Sequence, residues 1–490
     1  MSKQVPNFLN DKQYVVVAGA QTGDEGKGKV SLYVSQFYGI TARASGGSGT
    51  GATARLNDVD YKFHLFPVSI LLNSHEAATA RNGIRYNLMV GSLLADLDVL
   101  SRELTWLRAA GFLSDPNVKT ILDYRCSIVN PWDIILDRMR EYAKEGKHIG
   151  STGRGMGPAM EARARRKGVI RIGMIENRDL ADRLEEAAEE PLVLFRYYLD
   201  KVNSSLPSEV DRLTTRSFIE IARENSKGKI DLTKYLGTDG GFDFGIIARE
   251  YKRLREGLDK IIGDGKEVLH EAEIRGDNVL VEGNQGAILD VNHGVPPYIT
   301  ASNALATSIA SNAGIPRVDL TINVAKALES RVGNGPFVTR IADAREEDEL
   351  RDIGGEFGTT TGRGRKLGHL DIPKLRYAVR MNGGAERVLA LMKLDTYAGR
   401  ELKVVTSYRD KSSDPLLEQP ISEFPDDNST LELLRPHKVL EFGPLEDIRA
   451  LKRKEELTGE AKRFIDVVEG ETKIPVKMVG NSADFNGMLI

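Results

Sequence analysis

Tyr14-Val-Val-Val-Ala-Gly-Ala-Gln-Thr-Gly-Asp-Glu-Gly-Lys-Gly-Lys29 is the stretch on which the reading of this chain turns. Val15, Val16 and Val17 form an apolar, β-branched run that predicts a buried parallel strand. It leads straight into a turn carrying Gly19, Gly23, Gly26 and Gly28. Such a turn suits phosphate: glycines let backbone N–H groups approach an anion, the following helix offers its N-terminus, and Lys27 and Lys29 add mobile positive charge. The common phosphate-loop pattern G-x-x-x-x-G-K-[ST] is not met, because the first glycine is displaced and Gly28 stands where a magnesium-holding hydroxyl would be. Asp24 is the informative residue. A carboxylate inside a phosphate loop repels its ligand unless a magnesium ion sits between them or the carboxylate itself acts as a base.

The length of 490 residues allows about three domains, although large α/β enzymes often fold such a chain around one sheet. With 41% hydrophobic residues, 28% charged residues and a formal net charge of -3, the composition is that of an ordinary globular protein, without the bulk basicity that nucleic acid asks for. One cysteine, Cys126, excludes an internal disulfide framework and any Cys-cluster metal site, which suits a reducing compartment. The polar, mixed-charge opening residues lack the apolar core of a signal peptide, and no later run is apolar enough to span a bilayer. A cytoplasmic protein is expected, with no membrane partner.

Further loops follow in order. A helix is expected from about Lys29, then a second glycine cluster, Ser45-Gly-Gly-Ser-Gly-Thr-Gly-Ala-Thr53, then a strand over residues 60–66. Residues 93–110 have helical periodicity, with Trp106 expected in the core. The third loop, Ile149-Gly-Ser-Thr-Gly-Arg-Gly-Met-Gly-Pro158, precedes Arg163, Arg165, Arg166 and Lys167; the run reads as a solvated helix face or as an anion site. Residues 178–275, rich in Glu, Lys, Arg and Leu, read as a helical subdomain inserted between sheet strands, contributing packing rather than chemistry. Val279-Leu-Val-Glu282 is another buried strand, delivering Gly283-Asn-Gln-Gly286 at its carboxyl end, where open α/β sheets place ligands. Asp290, His293 and Thr300 follow. A strand over 320–324 leads to Arg331-Val-Gly-Asn-Gly-Pro-Phe337 and then to Gly354-Gly-Glu-Phe-Gly-Thr-Thr-Thr-Gly-Arg-Gly-Arg-Lys366, whose hydroxyls and cations suit carboxylate or phosphate capture. A strand over 388–392 ends in Lys393-Leu-Asp395. That Lys-x-Asp fits a guanine reader, although such a pair on its own is more often a surface salt bridge. Residues 415–459 read as peripheral loops and helices.

These loops, in this order, resemble adenylosuccinate synthetase, the ligase family that joins aspartate to inosine monophosphate (IMP) using GTP. The likeness runs through Gly23 to Lys29, His64-Leu-Phe-Pro67, Gly150 to Pro158, Glu282 to Gly294, Lys326 to Phe337, Glu356 to Asp371 and Lys393 to Asp395. It implies a large, mostly parallel β-sheet flanked by helices, with a phosphate-loop-like GTP site, in one domain over residues 1–490 working as a homodimer. It also implies roles. Asp24 would take the proton from purine N1 and hold magnesium, with the Gly51 carbonyl as second ligand. Lys27 would hold the γ-phosphate, and Gln285 would sit near the purine as the third catalytic residue. GTP would be met by Gly23, Glu25, Gly26, Lys27, Gly28, Lys29, Gly51, Thr53, Arg365, Lys393, Asp395 and Gly480. The acceptor nucleotide would be met by Asp24, Thr152, Gln285, Thr300 and Arg363, and by Arg166 from the partner subunit. Thr359, Thr360 and Thr361 with Arg363 and Arg365 would close on aspartate.

The second glycine cluster departs from the family's Gly-His-Asn-Ala-Gly-His-Thr. Gly49 stands for an asparagine that contacts the nucleotide, and Ala52 for a histidine that stabilises charge between O6 and the γ-phosphate. Loss of such a stabiliser typically costs about 10²–10³ in rate unless replaced. Thr22 stands for tryptophan, Asn284 for alanine, and Val479-Gly-Asn481 for Thr-Gly-Pro. Three readings follow. Backbone amides of residues 47–51, or the hydroxyls of Ser48, Thr50 and Thr53, take over the histidine's work in a divergent adenylosuccinate synthetase; or the acceptor has changed, as in phage-type enzymes acting on dGMP; or the chain is a nucleotide sensor without turnover. Retention of Asp24, Lys27 and the aspartate-loop cations speaks against the last. His64 is either a proton source or a locally satisfied histidine.

Overall fold

The computed structural model describes residues 4–144, 149–206, 212–358, 362–412 and 420–490. Its centre is the strand Tyr14–Gly19, buried along its whole length. Val15, Val16 and Val17 are 0% exposed. β-Branched side chains suit a strand covered on both faces, and complete burial of each contributes about 1.5–3 kcal/mol.

This strand lies inside a ten-stranded sheet whose order is Met488–Leu489, Val476–Gly480, Glu386–Met392, Leu320–Lys326, Tyr14–Gly19, Val279–Glu282, Ile40–Arg43, Arg85–Met89, Val118–Asp123 and Ile262–Gly263. All its pairings are parallel except that of Val476–Gly480 with Met488–Leu489. Parallel strands bring their carboxyl ends to one edge, and ligands bind there. On that edge the neighbours Glu386–Met392, Leu320–Lys326, Tyr14–Gly19, Val279–Glu282 and Ile40–Arg43 deliver Lys393-Leu-Asp395, the approach to Arg331, the first glycine loop, Gly283-Asn-Gln-Gly286 and the second glycine cluster. Loops far apart in sequence thereby become neighbours.

Beside this sheet stands a four-stranded one, in the order Leu328–Arg331, Lys366–Asp371, Leu402–Asp410 and Leu434–Phe442. Its last strand corrects the reading of residues 415–459 as loops and helices, of which 415–419 lie outside the described residues. Leu434 and Phe442 are buried at its two ends, while the residues between them are exposed or half-buried. No apolar alternation marks it in sequence, and antiparallel pairing with Leu402–Asp410 defines it.

The single strand expected over 60–66 is one arm of a hairpin, Ala52–Leu56 with Val59–Phe63. The periodicity of residues 93–110 produces the helix Leu97–Ala109, capped by the Asp96 carboxylate, which accepts the Val99 N–H. Trp106 on it is half-buried and stacks on Tyr61 at 6.0 Å. Within 178–275, the helices Leu180–Ser205 and Phe244–Glu256 pack on each other, and the former packs on Pro131–Tyr142. From Ile262 the chain is back at the edge of the large sheet, against Val118–Asp123, and Leu269 and Ala272 of the helix Gly265–Arg275 join the core with Leu88 and Val279. No helix among the described residues is long and apolar enough to cross a membrane.

Candidate active site

A cavity of ≈ 1310 Å³ opens at the carboxyl edge of the large sheet. Its walls gather Gly23, Asp24, Gly26, Lys27, Gly28 and Lys29, then Gly51 and Thr53, then Thr152, Gln285, Thr300, Arg365, Lys393 and Asp395. Glu25, Arg166, Arg363 and Gly480 are not among the lining residues. Thr359, Thr360 and Thr361 lie outside the described residues.

Two adjacent carboxylates in the first loop have opposite fates. Glu25 is fully buried, accepts the N–H groups of Gln21 at 3.1 Å and Gly23 at 2.8 Å, and pairs with Lys27. It folds the loop from inside and is turned away from the cavity in which it was expected to meet GTP. Asp24 takes a left-handed backbone, φ 61°, which is costly for a residue with a Cβ and is kept where structure over-determines it. Its carboxylate is 32% exposed and accepts Arg365 Nε at 2.9 Å. Arg365 Nη1 reaches Glu356 Oε2 at 2.8 Å, and Lys326 Nζ reaches the same oxygen at 2.8 Å. Burial works to raise the Glu356 carboxyl, but Lys326, Arg365 and Lys393 together outweigh it and hold it at about 2.

Lys29 corrects another expectation. It is no mobile charge: its amine donates to the carbonyls of Ser482 at 2.6 Å and Gly487 at 2.5 Å, and burial lowers it to about 8 although Asp395 opposes. Gly480 closes on it from behind; a Cβ there would stand 3.2 Å from Lys29 Nζ.

The second glycine cluster is a hydrogen-bonded turn. Thr50 donates its N–H at 3.0 Å and its hydroxyl at 2.8 Å to the Gly47 carbonyl, and Arg43 Nη2 donates to Thr50 Oγ1 at 3.4 Å. Arg43 is fully buried and attracts the equally buried Glu282, whose carboxyl burial pushes up to about 7 against that attraction and the N–H groups of Val68 and Ser69. The Thr50 hydroxyl is thus committed, and Ser48 is buried outside the cavity lining. Of the hydroxyls weighed as substitutes for the family histidine, those of Thr50 and Thr53 belong to residues that line the cavity. Asn284 donates to the Ser45 carbonyl, and a Cβ on Gly46 would lie 2.7 Å from its Nδ2, so the asparagine and the glycine are fitted to each other. A Cβ on Gly49 would lie 2.6 Å from Thr152 Oγ1 and 3.1 Å from Met156 Cγ.

Gln285, also left-handed at φ 58°, donates to Thr300 Oγ1 at 2.6 Å and accepts from Ser302 Oγ at 3.1 Å, so two threonine and serine hydroxyls fix its amide. The third loop spends several of its donors internally. Asp137 accepts Ser151 Oγ at 2.8 Å and Gly155 N–H at 2.9 Å, and Glu141 accepts Gly150 N–H at 3.1 Å. Thr152 is left on the cavity wall. Arg166 sits exposed at the C-terminal end of the helix Met156–Arg165. Lys393 makes no salt bridge with Asp395; its amine donates to the Gly354 carbonyl at 2.6 Å. His64 is paired with Glu103 at 3.1 Å, off the cavity. The cavity also takes in Lys227 and Lys229 from the helical segment, which no motif announced.

Among the described residues, no cluster of three or more His, Cys, Asp or Glu could hold a metal ion. Asp24 and Gly51 nevertheless line one cavity, and few protein oxygens are what magnesium uses where phosphate and water complete its shell. The donor set fits that ion.

Comparison with known proteins agrees with this architecture. The profile of the family described as adenylosuccinate synthetase matches residues 16–489. The chain is 34% identical over 474 residues to adenylosuccinate synthetase from Myxococcus xanthus, covering 96% of each protein, and 33% identical over 468 residues to that of a Geobacter species, covering 95% of each. The fully ligated adenylosuccinate synthetase of Plasmodium falciparum superimposes with a TM-score of 0.77 at 26% identity, over 98% of this chain and 99% of that one. The succinoaminodeoxyadenylate synthetase of cyanophage S-2L, bound to dGMP and dATP, shares the fold, with a TM-score of 0.53 at 15% identity over 97% of this chain and 95% of that one. The chain belongs to the adenylosuccinate synthetase family, whose members are GTP-dependent ligases.

Proposed function

We propose that the protein joins L-aspartate to C6 of IMP at the expense of GTP, forming adenylosuccinate, GDP and phosphate. The observation that carries this reading is Asp24, an open carboxylate held by Arg365 in the cavity that also collects Lys27, Gln285 and the Lys393-Leu-Asp395 corner. Asp24 takes the proton from purine N1, which makes O6 nucleophilic; O6 attacks the γ-phosphorus and GDP leaves. The aspartate amine then adds at C6 and phosphate departs with O6. Such a reaction needs clamps on phosphate and a positioned base, and no protein nucleophile. Magnesium, held by Asp24 and the Gly51 carbonyl, would supply charge neutralisation on the transferring phosphates. Gln285, fixed by Thr300 and Ser302, presents its amide to the purine. Asp395 reads guanine and Thr152 meets the acceptor. Arg363 and Arg365, with Thr359, Thr360 and Thr361, take aspartate. Arg166, exposed on its own subunit, serves the partner's acceptor in a homodimer, and the cytoplasm is the compartment.

The test offers IMP, dIMP, GMP and dGMP separately, with magnesium, aspartate and GTP, following phosphate release and adduct mass. A succinyl adduct from IMP is the expected result. Adduct from dGMP alone would replace the acceptor, and tight GTP binding without any adduct would leave a sensor. The changed acceptor is a second reading because Gly49, Ala52 and Asn284, which depart from the family's usual residues, all line the cavity.

Installing the asparagine usual in the family does not improve this protein. In Gly49→Asn the new side chain must turn the Thr152 hydroxyl aside and press on Met156. Losing one such hydrogen bond is worth about 1 kcal/mol, so the acceptor KM rises about fivefold while the KM for GTP holds. Steady-state kinetics on purified protein decides it, and an unchanged or lower acceptor KM would show that the larger side chain is accommodated.

A further inference from the structure

The stretch between Asp290 and Leu305 carries Thr300 and Ser302, whose hydroxyls fix the Gln285 amide. Asp290 closes that stretch from inside. Its side chain is fully buried, and one carboxylate oxygen accepts the N–H groups of Asn292 at 2.9 Å and His293 at 3.1 Å, where the stretch begins. The other oxygen accepts those of Ala304 at 2.6 Å and Leu305 at 3.3 Å, where it ends. One side chain thus grips both ends, and an ionised acceptor holds such donors more strongly than a neutral oxygen does.

The chain between those ends is held by further bonds. The Thr300 N–H donates to Leu289 O at 2.8 Å, the Val291 N–H to Ser302 O at 3.4 Å and the Gly294 N–H to Asp290 O at 2.8 Å. A Cβ on Gly294 would stand 2.5 Å from Ile288 O and 2.6 Å from Asp290 O, so the chain doubles back against its own backbone there. Tyr377, on the helix Ile372–Asn382, donates its hydroxyl to His293 O at 2.8 Å. Thr300 reaches the cavity, whereas Asp290 and Ser302 are not among its lining residues. Asp290 therefore acts on the cavity through what it holds.

We propose that Asp290 is a positioning residue for acceptor recognition: by closing residues 291–303 into one shape it places Thr300 and Ser302, and through them the Gln285 amide, against the purine. This rests on the ligase reading above and adds to it a residue that touches no substrate. The closed stretch engages both polar atoms of that amide. Its orientation, and with it the donor and acceptor shown to the base, is set from Asp290.

The test compares wild type, Asp290→Asn and Asp290→Ser in steady-state kinetics with IMP, GTP and aspartate. Asparagine keeps the volume but turns an amide donor towards main-chain N–H groups, while serine leaves room for a water that accepts from them. In whichever variant folds, as thermal melting shows, the IMP KM is expected to rise at least about tenfold, with the GTP and aspartate KM values within about twofold. In a Thr300→Val/Gln285→Ala background, Asp290→Asn adds less than about twofold to the IMP KM, because the groups it positions are gone. An unchanged IMP KM, an equal rise for all three substrates, the full rise repeated in that background, or failure of both variants to fold overturns the proposal. Calorimetry with IMP, dGMP and GTP keeps it separate from the ligase reading. If wild type makes no adduct from IMP, that reading fails; the Asp290 proposal then stands if Asp290→Asn weakens whichever monophosphate wild type binds and spares GTP. It falls if both or neither weaken, or if wild type binds neither monophosphate.

Discussion

Asp24→Asn stops ligation and leaves the GTP site and the fold in place. Asparagine keeps the size of the side chain and a carbonyl oxygen for Arg365 Nε, now 2.9 Å from the carboxylate, while Arg365 retains Glu356 on its other arm. On the proposed mechanism, what disappears is the proton acceptor and the negative oxygen offered to magnesium. General base catalysis alone contributes about 10²–10⁴ and electrostatic stabilisation of the transferring group a further comparable factor. The expected kcat is therefore at least about 10³-fold below wild type, near the detection limit of a phosphate-release assay. Calorimetric GTP affinity stays within a few-fold, because Lys27, Lys393 and Asp395, the residues proposed to meet GTP, are untouched. A variant retaining a tenth of wild-type turnover would remove Asp24 from the role of base and return the choice of proton acceptor to the other carboxylates near the cavity, Glu282 first.

What sequence could and could not foresee divides along physical lines. Strand Tyr14–Gly19 and its glycine loop were readable because a β-branched run buried on both faces and a phosphate turn each leave a local pattern. Side-chain direction within the loop was not. Asp24 and Glu25 are neighbours of one chemical type, and the φ of 61° at Asp24 sends one carboxylate to the cavity and the other into the loop's own N–H groups. Lys29 follows the same lesson: a lysine beside a phosphate loop reads as free charge until the C-terminal carbonyls of Ser482 and Gly487 arrive to occupy it. The donors of the third loop looked available because the carboxylates that consume them, Asp137 and Glu141, sit on a preceding helix. Lys227 and Lys229 carry no motif at all, and only the docking of one helix on another brings them to the cavity. The strand Leu434–Phe442 escaped for the reverse reason, having pairing without burial.

Glu356→Gln should cost about 3–5 kcal/mol of folding stability at neutral pH, the range for breaking a buried ion pair from one side. Glu356 is 0% exposed and Lys326 is 1% exposed, so the ammonium loses its counter-charge where water cannot replace it. Arg365 loses one of two carboxylates but keeps Asp24. The sign of the pH dependence follows from the depressed carboxyl: about 2 when folded against 4.5 as the reference value. Its contribution is complete above 4.5 and is lost as pH falls from there through 2, about 3 kcal/mol in all. Urea titrations of wild type and variant at pH 7, 4.5 and 3 should show a constant difference between the first two and a narrower one at the third. Lys326→Met/Glu356→Gln provides the control, since removing both charges relieves the uncompensated ammonium and should recover most of the loss. Because Arg365, proposed to take aspartate, then leans on Asp24 alone, the aspartate KM is expected to rise in both variants, the recovered one included. Recovery of stability without recovery of aspartate binding would separate what the buried carboxylate does for the fold from what it does for the arginine; simultaneous recovery of both would mean that Arg365 needs no second carboxylate to stand where it stands.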